Sequence, residues 1–589
     1  MSHVIAQAVA EAQARGVHAH VAVTDRMGNV LAVYSMPGAP ATVAIDGGLG
    51  VVGGLDGIAQ GTVPATLAAI AKALTGAYLS SQGNAFTTRT AGQIIQEHFD
   101  PGERGEPAGP LYGVQFSQLT CSDLMHTDGE GTAGPKRSPL GLAADPGGLP
   151  LYRGGVLVGG VGVEADGRYS FDRDIDDVDD NDEEAIAVAA SSGFAAPDDI
   201  RANLITAGGL ALRYVDTTAT RSDPTMAPAL STLPGALVAV DGYTLSSIRA
   251  GVAYGTAASG VRADDGAFAA QGGWIVVDGA NANRYPPRAS SGGNAGDLTA
   301  DEVRSILREG LAIAQRARGQ IRRPLGSSAQ VSIAVVDLAG DVLGLVRTPD
   351  GPLFGIDVSV QKARTAMFFS SPGAAQAFAA FAPARYLNAT SDASVARYLG
   401  DARTFLADPV AFTGATAWSA RSIGNLHRPF FPDGIDGTAP GPFSTPIERW
   451  SPFNVGLELD LVNNQLVKAL LGDVSKGCAS RLAAGVSGTD VGYSPLRNGI
   501  QIFPGAVPIY RGTRPVGAVG VSGDGVDQDD MVAFLGLANA GNALAGALGN
   551  APAAMRSDSL SPQGVRLRYA QCPQAPFNGS NDENVCAGL

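Results

Sequence analysis

Basic side chains recur at matching positions in two distant parts of the 589-residue sequence. Lys72, in the segment AKALTGAYLSS, corresponds to Lys362 in QKARTAMFFSS, although the chain holds few lysines. Arg89 and Arg421 correspond in the same way in a longer pair of segments that aligns without a gap. An ammonium or guanidinium group held at the same place in two similar segments could bind the anionic groups of a ligand.

A structural role is the alternative for these basic residues. The segments HVAVTDRMGNVLAVYSM and SIAVVDLAGDVLGLVRT have alternating apolar residues around an Asp and a Gly, Asp25 with Gly28 and Asp337 with Gly340. This pattern predicts a β-hairpin whose turn uses the aspartate side chain and the backbone freedom of glycine. The arginines could then pair with these aspartates, and the lysines could donate to loop carbonyl groups.

An acidic run, DRDIDDVDDNDEE, has carboxylates at the spacing of a calcium-binding loop. The residues at the ligand positions are Asp172, Asp174, Asp176, Asp180 and Glu183. Asp177 stands where such loops have glycine, and the preceding segment has the pattern of a strand rather than a helix. The sequence therefore leaves open a calcium site or a solvated acidic loop. The run has no counterpart in the second half of the chain.

Five pairs of similar segments in the same order predict a duplicated domain. We expect an α+β fold with two copies of an antiparallel β-sheet flanked by helices, and a small strand-rich linker module that packs on one copy. The expected units are 1–218 (first copy), 219–297 (linker module), 298–572 (second copy) and 573–589 (tail). Each copy is expected to end on a short apolar strand, within 200–216 and within 555–571.

The second copy carries an ordered set of motifs. They are the hairpin Ser332–Arg347, the KARTA helix at Lys362–Ala366, the PGAVPI loop Pro504–Ile509, and the strand Gly517–Gly523 followed by Gln528–Asp530. In this order they resemble the GlcG/HbpS haem-binding family (DUF336, haem-degrading domain) and the C-terminal domain of PduO. The resemblance leaves out 219–297, 372–410 and 444–500. It implies the sheet-and-helix fold, oligomers, and haem or a related small molecule as ligand.

Haem requires an apolar slot, usually an axial ligand, and basic residues for its propionates. The candidate residues are Lys362, Arg364, Arg347, Arg421 and His427 in the second copy, with Lys72, Arg89 and His98 in the first. The two histidines do not align, so a shared ligand position is not histidine. Because Leu74 and Ser35 replace two of these arginines in the first copy, the second copy is the favoured site.

Composition restricts the partners and the compartment. A net charge of −15 argues against a nucleic-acid partner, whose phosphates need clustered cations. The sequence contains no run of about eighteen apolar residues, so we expect no membrane insertion. Cys572 and Cys586 could close a disulfide in the tail, which suggests an extracellular or periplasmic protein. The chain starts as an amphipathic helix without a visible signal peptide, so a cytoplasmic protein with free thiols is the alternative.

The sequence thus supports two functions from different classes. The first is a haem-binding protein for sequestration, sensing or redox work, acting as a homo-oligomer. The second is a structural or assembly protein whose duplicated domains make subunit contacts and whose ligand site is inactive. Signatures of common enzymes (GxSxG, a P-loop before a helix, HExxH) are missing from the sequence, so no catalytic residue is assigned.

Overall fold

A computed structural model describes residues 1–99, 105, 107–126, 132–294, 296–387, 389, 391–472, 477–479 and 493–589. The α-helices in these residues are α1 Ser2–Arg15, α2 Ala65–Leu79, α3 Thr88–Ile94, α4 Asp182–Ala190, α5 Ala300–Arg316, α6 Gly355–Ser370, α7 Ala374–Ala380, α8 Arg397–Leu406, α9 Ala420–Asn425, α10 Leu457–Leu470 and α11 Val526–Ala543. The strands are β1 His20–Asp25, β2 Val30–Ser35, β3 Thr42–Ile45, β4 Ile58–Pro64, β5 Gly148–Arg153, β6 Val156–Glu164, β7 Arg168–Tyr169, β8 Thr206–Ala207, β9 Leu210–Ala211, β10 Ala236–Leu237, β11 Val261–Ala263, β12 Trp274–Val276, β13 Val331–Asp337, β14 Val342–Arg347, β15 Ala506–Arg511, β16 Arg514–Gly523 and β17 Gly549–Asn550.

Two antiparallel sheets lie in the two halves of the chain. The first has the order β10-β2-β1-β6-β5, and the second has the order β11-β12-β14-β13-β16-β15-β17. Both hairpins turn as expected. In the first, the side chain of Asp25 accepts hydrogen bonds from the backbone amides of Met27 and Asn29. In the second, the side chain of Asp337 accepts them from the backbone amides of Ala339 and Asp341. With helices packed on both sheets, the predicted α+β class is confirmed.

Glycine in the sheets sets how closely a helix can approach. α2 packs on β6, and a β-carbon at Gly162 would lie 2.1 Å from the carbonyl oxygen of Ala69. α6 packs on β16, and a β-carbon at Gly520 would lie 2.0 Å from the carbonyl oxygen of Ser359. These glycines therefore allow helix and sheet backbones to touch, which brings Lys72 and Lys362 to the strands. On the other side of the sheets, α1 packs with α4 and α5 with α11.

The segment 219–297 packs on both halves of the chain, whereas the sequence predicted that it packs on one copy. Its strand β10 extends the first sheet by pairing with β2, whereas β12 extends the second by pairing with β14. Within the segment, Ile275 and Val276 of β12 are buried. The segment contacts both sheets because each has an edge strand whose backbone groups need partners.

The ends of the two halves also differ from expectation. The first half ends on the two-residue strands β8 and β9, which pair only with each other. Residues 565–571 form no strand, and two of their backbone amides bond to side chains instead, with Gln571 donating to Asp530 of α11 and Arg568 donating to Asn425 of α9.

Each half sends a segment into the other. Ser122 donates to the buried Asp357 of α6 at 2.6 Å, and the indole nitrogen of Trp450 donates to the hydroxyl of Tyr112 at 2.7 Å. Cys121 and Cys478 form a disulfide between the halves, which the sequence did not predict. The expected Cys572–Cys586 disulfide is present in the tail. Among the described residues, no helix is both long and apolar enough to cross a membrane.

Candidate functional site

The two matching lysines are buried against carboxylates at the start of equivalent helices. Lys362 contacts Asp529 at 2.9 Å and donates to the carbonyl oxygen of Val521. Lys72 contacts three carboxylates, those of Asp145 at 2.9 Å, Glu164 at 3.0 Å and Glu183 at 2.5 Å. The ammonium groups therefore already have anionic partners within the protein.

The two matching arginines pair with the carboxylates that follow, in sequence, the helix-start carboxylates contacted by the lysines. Arg89 donates from Nε to Glu184 at 2.6 Å, and Arg421 donates from Nε to Asp530 at 2.5 Å. Both arginines sit in helices whose N-termini have a reciprocal capping box. The alternative pairing with Asp25 or Asp337 is wrong, because those aspartates hold the hairpin turns.

The two arginines found only in the second half are also paired internally. Arg364 makes a two-pronged contact with Asp123 of the first half, each nitrogen–oxygen distance being 2.8 Å. Arg347 donates to the hydroxyl of Tyr254 at 2.8 Å and to the carbonyl oxygen of Gly351. Both guanidinium groups are fully buried, so a ligand carboxylate would have to replace an existing acceptor.

The two candidate histidines lie in different environments. His427 is fully buried, its Nδ1 lies 2.9 Å from the carbonyl oxygen of Ile423, and burial lowers its pKa to about 3. Its Nε2 has no hydrogen-bond partner among the described residues. This is the arrangement of a metal-binding imidazole, with one nitrogen fixed by a carbonyl and a free lone pair on the other. His98 is partly exposed, stacks on Phe430 and faces Asp436 at 3.3 Å.

The five residues predicted as calcium ligands do not converge, which corrects that prediction. Glu183 belongs to the buried carboxylate cluster with Asp145 and Glu164, whereas Asp172 groups with Asp179 and Asp216 around Arg89. Asp180 faces Arg15, while Asp174 and Asp176 stay in the exposed loop. Buried cations attract these carboxylates individually, because an unpaired buried guanidinium or ammonium is costly.

The cluster around Lys72 has three carboxylates for one ammonium. Burial and the neighbouring carboxylates raise the pKa of Glu183 from 4.5 to about 7, and raise that of Glu164 well above its usual range. Burial likewise raises the pKa of Asp529 to about 6, although Lys362 opposes the rise. Between pH 4.5 and 7 the folded protein therefore binds protons that the unfolded chain has already released.

We expect the stability of the wild type to fall relative to that of Glu183→Gln as pH rises from 4.5 to 7. In this interval the folded state binds more protons at Glu183 than the unfolded state does, so stability decreases with pH. Urea unfolding of both proteins at several pH values measures the difference. His126 and His427, whose pKa values are lowered to about 3, act in the opposite direction and cancel in the comparison. A constant difference would contradict the proton uptake.

A cavity of about 670 Å³ lies where the loop around Val52 meets the second half. Its lining includes Tyr386, Tyr398, Arg397 and Arg449. Both tyrosines come from the stretch 372–410, which has no counterpart in the first half, so comparison of the two copies missed them. A signal was present, because each tyrosine lies in an Ala-Arg-Tyr-Leu tetrapeptide.

Similarity to known proteins is limited to part of the chain. No curated protein matches the chain. Two solved structures match a third of it: the crystal structure of a PduOC:heme complex (19% identity, 33% of this chain, 89% of that chain, TM-score 0.19) and Klebsiella pneumoniae protein ORFY, family model DUF336 (18%, 33%, 85%, TM-score 0.19). Residues 469–538 match the family model described as haem degrading protein HbpS-like, which supports the resemblance that the motifs of the second half predict.

Proposed function

We propose that the second half of the chain binds a tetrapyrrole such as haem, for sequestration, sensing or redox work. The observation that carries this proposal is the HbpS-like match over residues 469–538, a family described as haem degrading. The matched segment includes β15, β16 and most of α11, and thus the carboxylates that hold Lys362 and Arg421.

His427 is the residue that we propose for the haem iron. Its imidazole is neutral, its Nδ1 is fixed by a carbonyl, and its Nε2 has no partner among the described residues. The ring of Phe443 lies 5.1 Å from His427 and 6.3 Å from Tyr398, which lines the cavity. Movement of Phe443 would connect the histidine with that cavity. When bound, haem would supply an iron for ligand or electron chemistry.

The roles of the other candidate residues as haem ligands stay predictions. Lys362, Arg364 and Arg421 are buried in ion pairs, so binding a propionate would require the loss of an internal partner. In the first half, Lys72 and Arg89 are held by three or more carboxylates. We propose that these residues fix the helices to the sheets.

Titration of the purified protein with haem is expected to give a Soret band that saturates at micromolar haem. His427→Leu should alter the position and intensity of this band, because the proposed axial ligand is lost. His98→Leu is the matched control and should leave the spectrum unchanged. Absence of a saturable Soret band in the wild type would contradict tetrapyrrole binding, and an unaltered spectrum in His427→Leu would exclude that histidine as ligand.

The domain organisation supports a second candidate function, that of a structural or assembly protein. We propose that 1–218 and 298–572 are two copies of one domain that act as an internal pair. The shared strand pairing, the matching lysine and arginine contacts and the segments exchanged between halves support this proposal. Further association into a homo-oligomer stays a prediction.

The two disulfides are typical of an oxidising compartment outside the cytoplasm. We propose that the protein works in the periplasm or outside the cell, where scavenged haem would be encountered.

A further inference from the structure

Two tyrosines meet on one buried carboxylate behind the cavity described above. Tyr386 donates its hydroxyl to one oxygen of Asp460 at 2.5 Å, and Tyr398 donates to the other at 2.7 Å. Asp460 lies in α10 and is buried. Both oxygens of this carboxylate are thus occupied, and the two rings are fixed as part of the cavity wall.

The arginines of this cavity differ from the buried arginines because their charge is available. Arg397 is exposed, and its ion pair with Asp401 at 3.2 Å spans one helical turn on the surface. Such a pair is worth only about 0.3–0.5 kcal/mol, so a ligand can replace it. Arg449 is exposed, donates one hydrogen bond to the carbonyl oxygen of Val52, and makes no ion pair with any described residue.

Other polar groups of the lining are already engaged. Asp392, the acidic residue of the lining, faces Arg385 at 3.5 Å, and Asn454 donates to the carbonyl oxygen of Arg449. The cavity therefore combines two available guanidinium groups with fixed aromatic rings. Its volume is within the range of about 300–1,000 Å³ common for small-molecule sites, which often lie between domains.

We propose that this cavity binds a flat ligand carrying carboxylates, with Arg397 and Arg449 on the carboxylates and the partly exposed ring of Tyr386 against the flat body. Guanidinium groups bind carboxylates through paired, charge-assisted hydrogen bonds, and aromatic rings offer apolar area at low entropic cost. The inference rests on the proposed function where the ligand is a tetrapyrrole, whose propionates supply the carboxylates. A free aromatic acid is the other source of the same chemistry. The cavity lies before residue 469, outside the HbpS-like match.

The test uses the full chain with both cavity arginines replaced, Arg397→Gln/Arg449→Gln. Haem affinity, followed by the Soret band, is expected to fall about ten- to a hundredfold, the effect of losing charged hydrogen bonds. Arg566→Gln is the control, because Arg566 is exposed, pairs with Asp558 and does not line the cavity. Because all three arginines are exposed, their replacement should leave the melting temperature nearly unchanged, and this measurement checks that each variant folds.

Two further ligands separate the sources of the carboxylate. In matched detergent, protoporphyrin IX should bind through its free carboxylates, whereas its dimethyl ester, which lacks them, should bind at least about tenfold more weakly. Phthalate, a free aromatic acid, is followed by the fluorescence of the protein, since Trp450 adjoins Arg449 in the chain.

The outcomes are distinguishable from those of the proposed function. If the double variant binds haem as tightly as the wild type does, the cavity site is overturned and tetrapyrrole binding still stands. The same conclusion follows if protoporphyrin IX and its dimethyl ester bind with equal affinity. If haem and protoporphyrin do not bind, the proposed function fails. Phthalate binding that is lost in the double variant would then support the carboxylate site, and no phthalate binding would overturn it.

Discussion

Replacing Lys72 with methionine is expected to lower the free energy of unfolding by about 3–5 kcal/mol. The ammonium is fully buried and contacts Asp145, Glu164 and Glu183 within 3.0 Å. Methionine fills a similar volume but leaves these carboxylates without a cation in a region that water does not reach. The variant must then bind protons at the carboxylates or admit water, and either change destabilises the fold at neutral pH.

Urea unfolding at pH 7 measures this effect, and two variants give it a scale. Lys362→Met removes the equivalent ammonium but leaves one contacting carboxylate, Asp529, so its cost should be smaller. Lys468→Met changes a half-buried lysine and should have little effect. Adding Glu164→Gln to Lys72→Met should restore part of the stability, because one buried charge is removed. Equal losses for Lys72→Met and Lys468→Met would contradict the importance of the cluster.

Replacing both Cys121 and Cys478 with alanine is expected to cost about 2–5 kcal/mol of unfolding free energy. The disulfide joins residues 357 positions apart and links the two halves of the chain. A crosslink over so long a loop restricts the unfolded chain strongly, and both cysteines are buried, so their sulfurs also contribute packing. Loss of the bond should therefore make separation of the halves easier.

Chemical unfolding with and without reductant tests the disulfide, using Cys572→Ala/Cys586→Ala as control. That bond closes a loop of 14 positions within the tail, so its loss should leave contacts between the halves intact. Limited proteolysis should cut the Cys121/Cys478 variant more rapidly between the halves. If the two double variants lose the same stability and show the same cleavage pattern, the Cys121–Cys478 disulfide does not stabilise the contact between the halves.

Local patterns determined much of the architecture. Alternating apolar residues with Asp and Gly at fixed offsets specified both hairpins, because turn geometry depends on a few adjacent residues. At the start of α5, Thr299 and Glu302 form a reciprocal capping box, which likewise depends only on neighbouring residues. Motifs in the second half resemble the GlcG/HbpS family, and residues 469–538 match the family model described as HbpS-like.

Tertiary structure decided the partners of the charged residues. Spacing alone left open a calcium site that included Glu183 and Asp172, but each contacts a different buried cation, Lys72 or Arg89. Sequence spacing fixes where carboxylates lie along a chain. The partner of each carboxylate depends on which buried cation lies nearest to it in the folded protein. The same reason placed Arg364 on Asp123, more than two hundred residues away in the first half.

The recurring basic residues thus illustrate both levels. Their repetition was visible in the sequence, and their position on helices against glycine-rich strands followed from local pattern. Their engagement by internal carboxylates, and the availability of Arg397 and Arg449 instead, became visible only when distant segments were brought together. Electrostatic pairing in a folded protein acts through space and favours the nearest buried counter-charge, so a one-dimensional pattern does not contain it.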